Sequence, residues 1–520
     1  MTVRSIKKLS EMIGNKALSD FEKRIELNIK KARDSFFEYC KLTNPDFYTD
    51  DRAFLKQYCD TLQKLYERKL YLDDKSLCLK LMINFPPRHG KSRTLVLFVQ
   101  WCFGKNDNEK AITCSYNDDV ASDFSRFTRD GIDQKSQMKE DIHELTLRYG
   151  SADNIPMQEA NKIKYVFADI FPKIKIQKGN ASFEKWALDG KFFSYKGAGV
   201  GGAITGRGGS ITIVDDPIKD AATAYNEDAL KKIYQWYTNT FKSRAETGAI
   251  QIINMTRWSS KDICGELLKD EDEAKEWLHV EYEACDKDGN MLCEEILSKK
   301  EYLSLKRVMN EDIFLANYHQ QPVDITGGLY ASDFTTYDFY DEDAVERKIA
   351  YVDTADEGTD KLLLICADVI GKYGYVTHIY YTDESMEITE KETARILTIT
   401  GTKECLIESN NGGRGFARNV EKELKVLNNK KCVITWFHQS KNKRSRILVN
   451  ASNVTQQLIM PENWKKKYKD YYEAMKTYQR KGKNKHDDAP DATTGLVEFI
   501  NGEIKGKRKM KLLSKSLLGL

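Results

Sequence analysis

Apolar residues recur along this chain at two different periods. Through ALSDFEKRIELNIKKARDSFFEYCKL, and on to about residue 70, charged and apolar residues mix at helical spacing, with Ser19 or Asp20 placed to cap. An apolar strand over residues 77–85 then runs into PPRHGKS, and a helix is predicted from Ser92 onward. Residues 110–115 read as a second strand and 118–130 as the helix after it. Residues 211–214 form a short, wholly apolar strand followed at once by two aspartates, and 250–255 form another. Strands alternating with helices predict an α/β domain around a buried, largely parallel sheet.

The turn formers and aromatics of residues 320–343 break this pattern and mark a boundary. Beyond it three strands come in succession (348–354, 361–369 and 375–382), joined by the turn-like EGTD and GKYG. A helix near 388–400, a strand at 404–408, a helix at 414–427 and a strand at 431–438 follow. That is the order expected of a ribonuclease H-like fold. The division predicted is a helical region over 1–70, an α/β core over 71–325, a linker over 326–345, a ribonuclease H-like domain over 346–500 and a basic tail over 501–520. No fixed-period repeat stands out, which argues against a solenoid.

Composition narrows the class. At 520 residues, 41% hydrophobic and 31% charged, the chain suits a multidomain protein with substantial cores. The longest apolar run, residues 95–103, is interrupted by Gln100 and falls short of the ~18 residues of a membrane span. MTVRSIKKLSEMIG has no signal-peptide core. The eleven cysteines include no C-x-x-C pair, so they read as reduced core thiols. A cytosolic protein is expected. The net charge of +3 is unevenly spread: residues 502–520 hold six Lys/Arg against one Glu, and four basic residues fall within 441–446. Such clusters either neutralise phosphates or form a solvated face.

PPRHGKS lies between a strand and a helix, as a phosphate-binding loop must. Gly90 lets the backbone approach phosphate, and the N–H groups of Arg88, His89 and Gly90 with the helix start would cradle negative charge. Lys91 would reach the terminal phosphates of ATP and Ser92 would ligate Mg2+. The usual pattern has a glycine where this chain has Phe85. Asp215 ends an apolar strand, where a carboxylate can hold the Mg2+ shell opposite Ser92, and Asp216 can polarise the attacking water; an ordinary DDP turn is the plainer alternative. GAGVGGAITGRGGS reads as a glycine-rich loop whose Arg207 touches phosphate or DNA, or as a connector. In the second domain Asp353 ends the first strand and Glu408 the fourth, which the fold makes parallel neighbours. HDDAPDA opens the last helix with Asp488 and Asp491 on one face. Three acids so placed favour Mg2+ or Mn2+, two ions in all. Asp488 is the first choice there, Asp491 the second, and Asp487 a cap.

With these residues, and with ITCSYNDDVASDFSRFTRD, TGRGGSITIVDDPIKD, NMTRWSSKDICGELL, NYHQQPVDITGG and IESNNGG, the chain resembles tailed-bacteriophage terminase large subunits over most of its length. The resemblance implies an ATPase that drives double-stranded DNA into a procapsid and a nuclease that cuts concatemers. It also implies a portal protein and a small subunit as partners, a homo-oligomeric ring, no membrane, and the host cytoplasm. By the same resemblance Thr256 in NMTRW couples hydrolysis to movement, and Gln57 is the candidate for an adenine contact. An arginine finger is expected as well, with Arg88, Arg126 and Arg129 as competitors. A repair helicase–nuclease is the rival function. A second motor core needs on the order of 100–150 residues, against about 90 between Trp258 and Lys348 with no further helicase motif. A structural scaffold is disfavoured by intact Lys91, Ser92 and paired aspartates.

Overall fold

The computed structural model describes residues 18–323, 327–330, 333–354, 361–410, 412–481, 484 and 487–506. The chain divides at residues 323/324 into two compact units, apart from Val308–Asn310, which go with the second. The first opens with α1 (Asp20–Asp34), started by a reciprocal cap in which Ser19 Oγ accepts from Glu22 N–H and the Glu22 carboxylate accepts from Ser19 N–H. Helices α2 (Phe36–Thr43) and α3 (Ala53–Tyr66) follow.

The sheet of this unit contains β1 (Lys80–Asn84), β2 (Ala111–Ser115), β3 (Ile176–Ala181), β4 (Lys185–Leu188), β5 (Tyr195–Gly199), β6 (Gly209–Asp215), β7 (Ala245–Met255) and β8 (Trp277–Glu281). Its order is β3-β4-β5-β2-β6-β7-β1-β8, with the six strands from β5 to β8 parallel and the β3–β4 hairpin antiparallel at the edge. Helix α4 (Lys91–Lys105) is apolar on almost every side because it is covered by the sheet and the amino-terminal helices; Leu95, Phe98, Trp101 and Phe103 are fully buried. Helices α5 (Asp118–Asp133) and α6 (Met138–Tyr149) complete the frame.

The glycine-rich segment is only partly a loop. Tyr195–Gly199 is strand β5, and its glycines are packing residues: a Cβ on Gly197 would lie 2.8 Å from the Ala121 carbonyl oxygen, and one on Gly199 2.5 Å from the Asn117 carbonyl carbon. Close approach of the start of α5 to the sheet requires the missing side chains. Neither sequence reading, a phosphate- or DNA-touching loop or a connector, anticipates this use, because composition does not distinguish packing glycines from loop glycines.

In the second unit β10 (Arg347–Asp353), β11 (Leu362–Ile370) and β12 (Tyr373–Thr382) form an antiparallel meander. Then come α7 (Met386–Ile399), β13 (Glu404–Glu408), α8 (Gly413–Val426), β14 (Val433–Phe437), α9 (Lys443–Gln457), β15 (Leu458–Pro461) and α10 (Asp488–Ile500). With β9 at Thr336–Tyr337, the sheet order is β14-β13-β10-β11-β12-β15-β9, and β13 lies parallel to β10 as the fold reading requires. The segment read as a linker belongs to this unit: it contributes edge strand β9 (Thr336–Tyr337), and Tyr330 and Phe334 are buried. Residues 501–506 of the tail also pack, since Ile504 is buried and a Cβ on Gly506 would meet Thr435 Oγ1; the rest, 507–520, lies outside the described residues. Among the described residues no helix is long and apolar enough to cross a membrane.

Candidate active sites

In the first unit the parallel strands β1 and β6 deliver the loop and the aspartate pair to the same edge of the sheet. Phe85, where a glycine was expected, is core: its ring stacks on Tyr282 at 4.2 Å. The loop turns through two left-handed residues, Arg88 (φ 67°) and Gly90 (φ 85°). Gly90 caps α4 without a side chain, and a Cβ there would fall 2.5 Å from the Phe47 ring. His89 is buried, its Nδ1 2.9 Å from the Pro87 carbonyl, and burial lowers its pKa.

Lys91 forms an ion pair with Asp216 Oδ2. Burial alone would pull the ammonium down, but Asp216 and Asp215 outweigh it and hold its pKa above the ordinary value. Asp216 itself has φ 43°, a conformation strained for a non-glycine residue, and its other oxygen accepts from Thr256 N–H at 3.0 Å. Thr256 Oγ1 donates to the Phe85 carbonyl at 3.0 Å. Thr256 therefore links the start of the phosphate loop to the aspartate pair. Asp215 is buried and its carboxyl is pushed up to about 6 by burial and by Asp216, against Lys91, Ser92 and Asn254, which favour the charged form. Asn254 Nδ2 donates to Asp215 at 2.5 Å and in turn accepts from Tyr58 OH at 3.2 Å. Sequence analysis does not single out Asn254; its signal is a fully buried polar residue next to the last position of β7.

A cavity of about 1070 Å³ opens beside Ser92, Asp215 and Asp216, bounded by Asn44, Arg93 and Tyr116 among others. It is large enough for a nucleotide. The expected peripheral contacts divide. Gln57 is exposed on α3, and the cavity is walled instead by the end of α2 and the segment after it. Arg126 pairs with Asp123 at 2.8 Å, and Arg129 pairs with Asp130 and lies over the Phe183 ring. Arg88 is exposed on the phosphate loop itself. Arg207 stacks on Phe193, 4.8 Å from the ring centre. The raised Asp215 carboxyl has a consequence for stability. Its proton is held to higher pH in the folded chain than in the unfolded one, so the stability it contributes below pH ~4 is lost as pH rises through about 6. Asp215→Asn should gain on the parent across that window, by on the order of 2 kcal/mol, in nucleotide-free thermal melts at pH 4 to 7.5.

In the second unit carboxylate oxygens of Asp353, Glu408 and Asp491 lie within 4.8 Å of one another. Strands β10 and β13 supply the first two, and the first turn of α10 the third. Two glycines make room. A Cβ on Gly413 would sit 2.0 Å from the Glu408 carbonyl oxygen, and one on Gly495 2.2 Å from the Tyr351 ring, whose OH donates to Glu408 at 2.9 Å. Asp353 is raised well above the carboxylate range by burial, Glu408 and Asp491. Asp491 is pushed up to about 6 by burial, against the pull of Arg446 and Lys443. Three mutually repelling carboxylates, with the buried Thr354 Oγ1 lacking a partner among the described residues in the same cavity of about 180 Å³, are a donor set that fits a hard divalent cation.

Asp491, the second choice within HDDAPDA, is the acid that joins this group. Asp488 is buried on the same cavity wall, where it accepts from Lys361 N–H at 3.2 Å. Asp487 occupies the cap position without a capping bond and pairs with Lys443 at 2.7 Å. The basic cluster at 441–446 is not simply a solvated face. Lys443 reaches Asp487, Asp488 and Asp491, and Arg446, 1% exposed, joins Asp491 to Glu498, itself fully buried. Both border the carboxylate group, a placement that neither of the two sequence readings, phosphate binder or solvated face, supplies. Arg446→Met should cost about 3–5 kcal/mol in urea unfolding, because Glu498 would be left buried and unpaired by its main partner.

Residues 82–302 match the family described as terminase large subunit, T4likevirus-type, N-terminal. Residues 352–458 match that described as Terminase Bacteriophage T7, ribonuclease H-like domain. Together the two matches take in more than half of the chain, in the order that joins motor to nuclease. The chain belongs to the terminase large subunit family. Large terminases couple a packaging ATPase to a nuclease, and no finding supports the repair-helicase alternative. Among solved structures, the large terminase of a thermophilic bacteriophage is 12% identical, with 85% of this chain and 98% of that chain covered at a TM-score of 0.46. The nuclease domain of the large terminase subunit gp2 of bacterial virus Sf6 is 14% identical over 30% of this chain and 89% of its own, at 0.23. The human cytomegalovirus terminase nuclease domain is 11% identical over 32% and 88%, at 0.26. No curated protein matches the chain.

Proposed function

We propose that the chain is the motor subunit that moves double-stranded DNA into a procapsid by ATP hydrolysis and cuts concatemeric DNA with its second unit. The observation that carries this reading is the presence, in one chain, of a Lys91/Ser92 loop facing Asp215 and Asp216 and of a separate three-carboxylate group. Ser92 and Asp215 would hold Mg2+ with the nucleotide, and Lys91 would leave Asp216 for the terminal phosphate. Asp216, released, would orient the attacking water, and its bond to Thr256 N–H would report the change to β7. Asp353, Glu408 and Asp491, with Asp488 beside them, would hold Mg2+ or Mn2+, two ions being the expected number. Bound there, the cations supply Lewis acidity toward the phosphodiester. Lys443 and Arg446 meanwhile keep Asp491 charged and aimed inward.

A ring of copies on the portal, delivery of DNA by a small subunit, and action in the host cytoplasm complete the reading. Steady-state ATP turnover with and without portal-bearing procapsids tests it. Stimulation by procapsids is expected; turnover stimulated by free DNA ends alone, with no response to procapsids, would favour the helicase–nuclease.

A further inference from the structure

Helix α8 leaves the nuclease site carrying an unusual surface. Its buried side is Gly413, Phe416, Ala417, Val420 and Leu424, which recur at helical spacing. On the opposite side Arg414, Arg418, Lys422 and Lys425 are all exposed, and at 100° per residue they fall within about 80° of arc. None of the four forms an ion pair among the described residues: Arg418 donates to the Arg414 carbonyl and Lys422 to Asn419 Oδ1. Some other surface cations of this unit are answered by acids, as Lys465 and Lys476 are by Asp333 and Arg347 is by Glu404. Half-buried Glu421 borders the stripe without pairing to it.

The stripe is continuous with the site. Gly413 packs against the Glu408 carbonyl, and Asn410, just before the helix, lines the acid cavity and is pinned to Gln439 by bonds of 3.0 and 3.1 Å. From Arg414 to Lys425 the helix rises about 16 Å, the axial length over which one strand of B-form DNA carries about five phosphates. A row of unanswered cations at that spacing, beginning where a phosphodiester would meet the carboxylates, complements a nucleic-acid backbone in charge and in length.

We propose that Arg414, Arg418, Lys422 and Lys425 form a track for the strand flanking the scissile phosphate of duplex DNA, setting how DNA enters the nuclease site. The track rests on the nuclease reading of that site. It confers no base preference, because phosphate contacts position the duplex without reading it.

The test is metal-dependent cleavage of linear duplex DNA by the full chain, since only DNA engaged at the nuclease site is scored. Arg418→Ala, Lys422→Ala and Lys425→Ala are combined; alanine keeps the helix, and Arg414 is spared because it adjoins the loop before the helix. The triple variant should raise KM about tenfold or more at moderate salt with kcat within about twofold. It should also lower the slope of log KM against log salt by about 2–3, near 0.9 for each phosphate no longer neutralised. Turnover of ATP without DNA, and the thermal midpoint, should match the parent. A KM and salt slope equal to the parent's would overturn the track while leaving the nuclease intact. So would the same losses appearing instead in a Lys466→Ala/Lys467→Ala variant on another surface. A parent chain that cuts no duplex at any Mg2+ or Mn2+ concentration would overturn the nuclease reading and the track with it.

Discussion

Lys91→Ala is expected to lower ATP turnover about 10²–10³-fold and to abolish packaging, while metal-dependent DNA cleavage stays within about twofold of the parent. Lys91 pairs with Asp216 and lies within the field of Asp215, so it is placed to neutralise charge that develops on a transferring phosphoryl group. His89, the nearest other basic side chain of the loop, is buried and kept neutral, and Arg88 is turned outward. The carboxylate group of the nuclease lies in the other compact unit and does not depend on this lysine. Phosphate release and plasmid nicking measured on the same preparation decide it. ATP turnover at the parental rate would remove the phosphate loop from the mechanism; loss of both activities, with a lowered thermal midpoint, would mean that Lys91 is needed for folding.

Much of this molecule could be read from residue pattern because its strands are short, apolar and bounded by turn residues. Residues 404–408 and the start of the strand after PPRHGKS's helix fall within a residue or two of their structural bounds for that reason. What pattern could not supply was pairing at a distance. Lys443 and Arg446 look like surface charges in the sequence, because nothing local reveals that α9 lies against α10 and turns them toward Asp491 and Glu498. The preference for Asp488 over Asp491 differs from the observed cluster for a related cause. Both share one helix face, and only the position of that helix over β10 and β13 selects Asp491. The β3–β4 hairpin and helix α6 also went unread: the hairpin mixes charges and glycine and gains its structure from the edge of the sheet, and α6 is mostly polar and gains its structure by packing Met138 and Leu145 against Phe21, Ile25 and Ile29 of α1.

Asp353→Asn is expected to reduce DNA cleavage by more than about 100-fold and yet to raise the thermal midpoint of the metal-free protein. A ligating carboxylate should matter at least as much as the outer partners whose loss typically costs about 10–100-fold in metal affinity or activity. The stabilisation has an electrostatic origin. Asp353 is buried beside Glu408 and Asp491, and its carboxyl holds a proton to far higher pH than the unfolded chain would allow. The stability it contributes at low pH is therefore lost as pH rises through its folded value, because the unfolded chain gives up freely a proton that the folded cluster must keep or lose against its neighbours. Asparagine keeps the shape and removes the group whose ionisation burial, Glu408 and Asp491 oppose. A gain of about 1 kcal/mol would appear as about 2–4 °C in a domain of this size. Melts of both proteins at pH 4, 6 and 8, with and without Mn2+, provide the check. The variant should match the parent at pH 4, exceed it at pH 8 without metal, and lose that lead when Mn2+ is added, because only the parent retains the full set of ligands that the cation stabilises. A variant that melts below the parent at every pH, or that gains as much from Mn2+ as the parent does, would show that Asp353 is a packing residue and that the three carboxylates do not form a metal site.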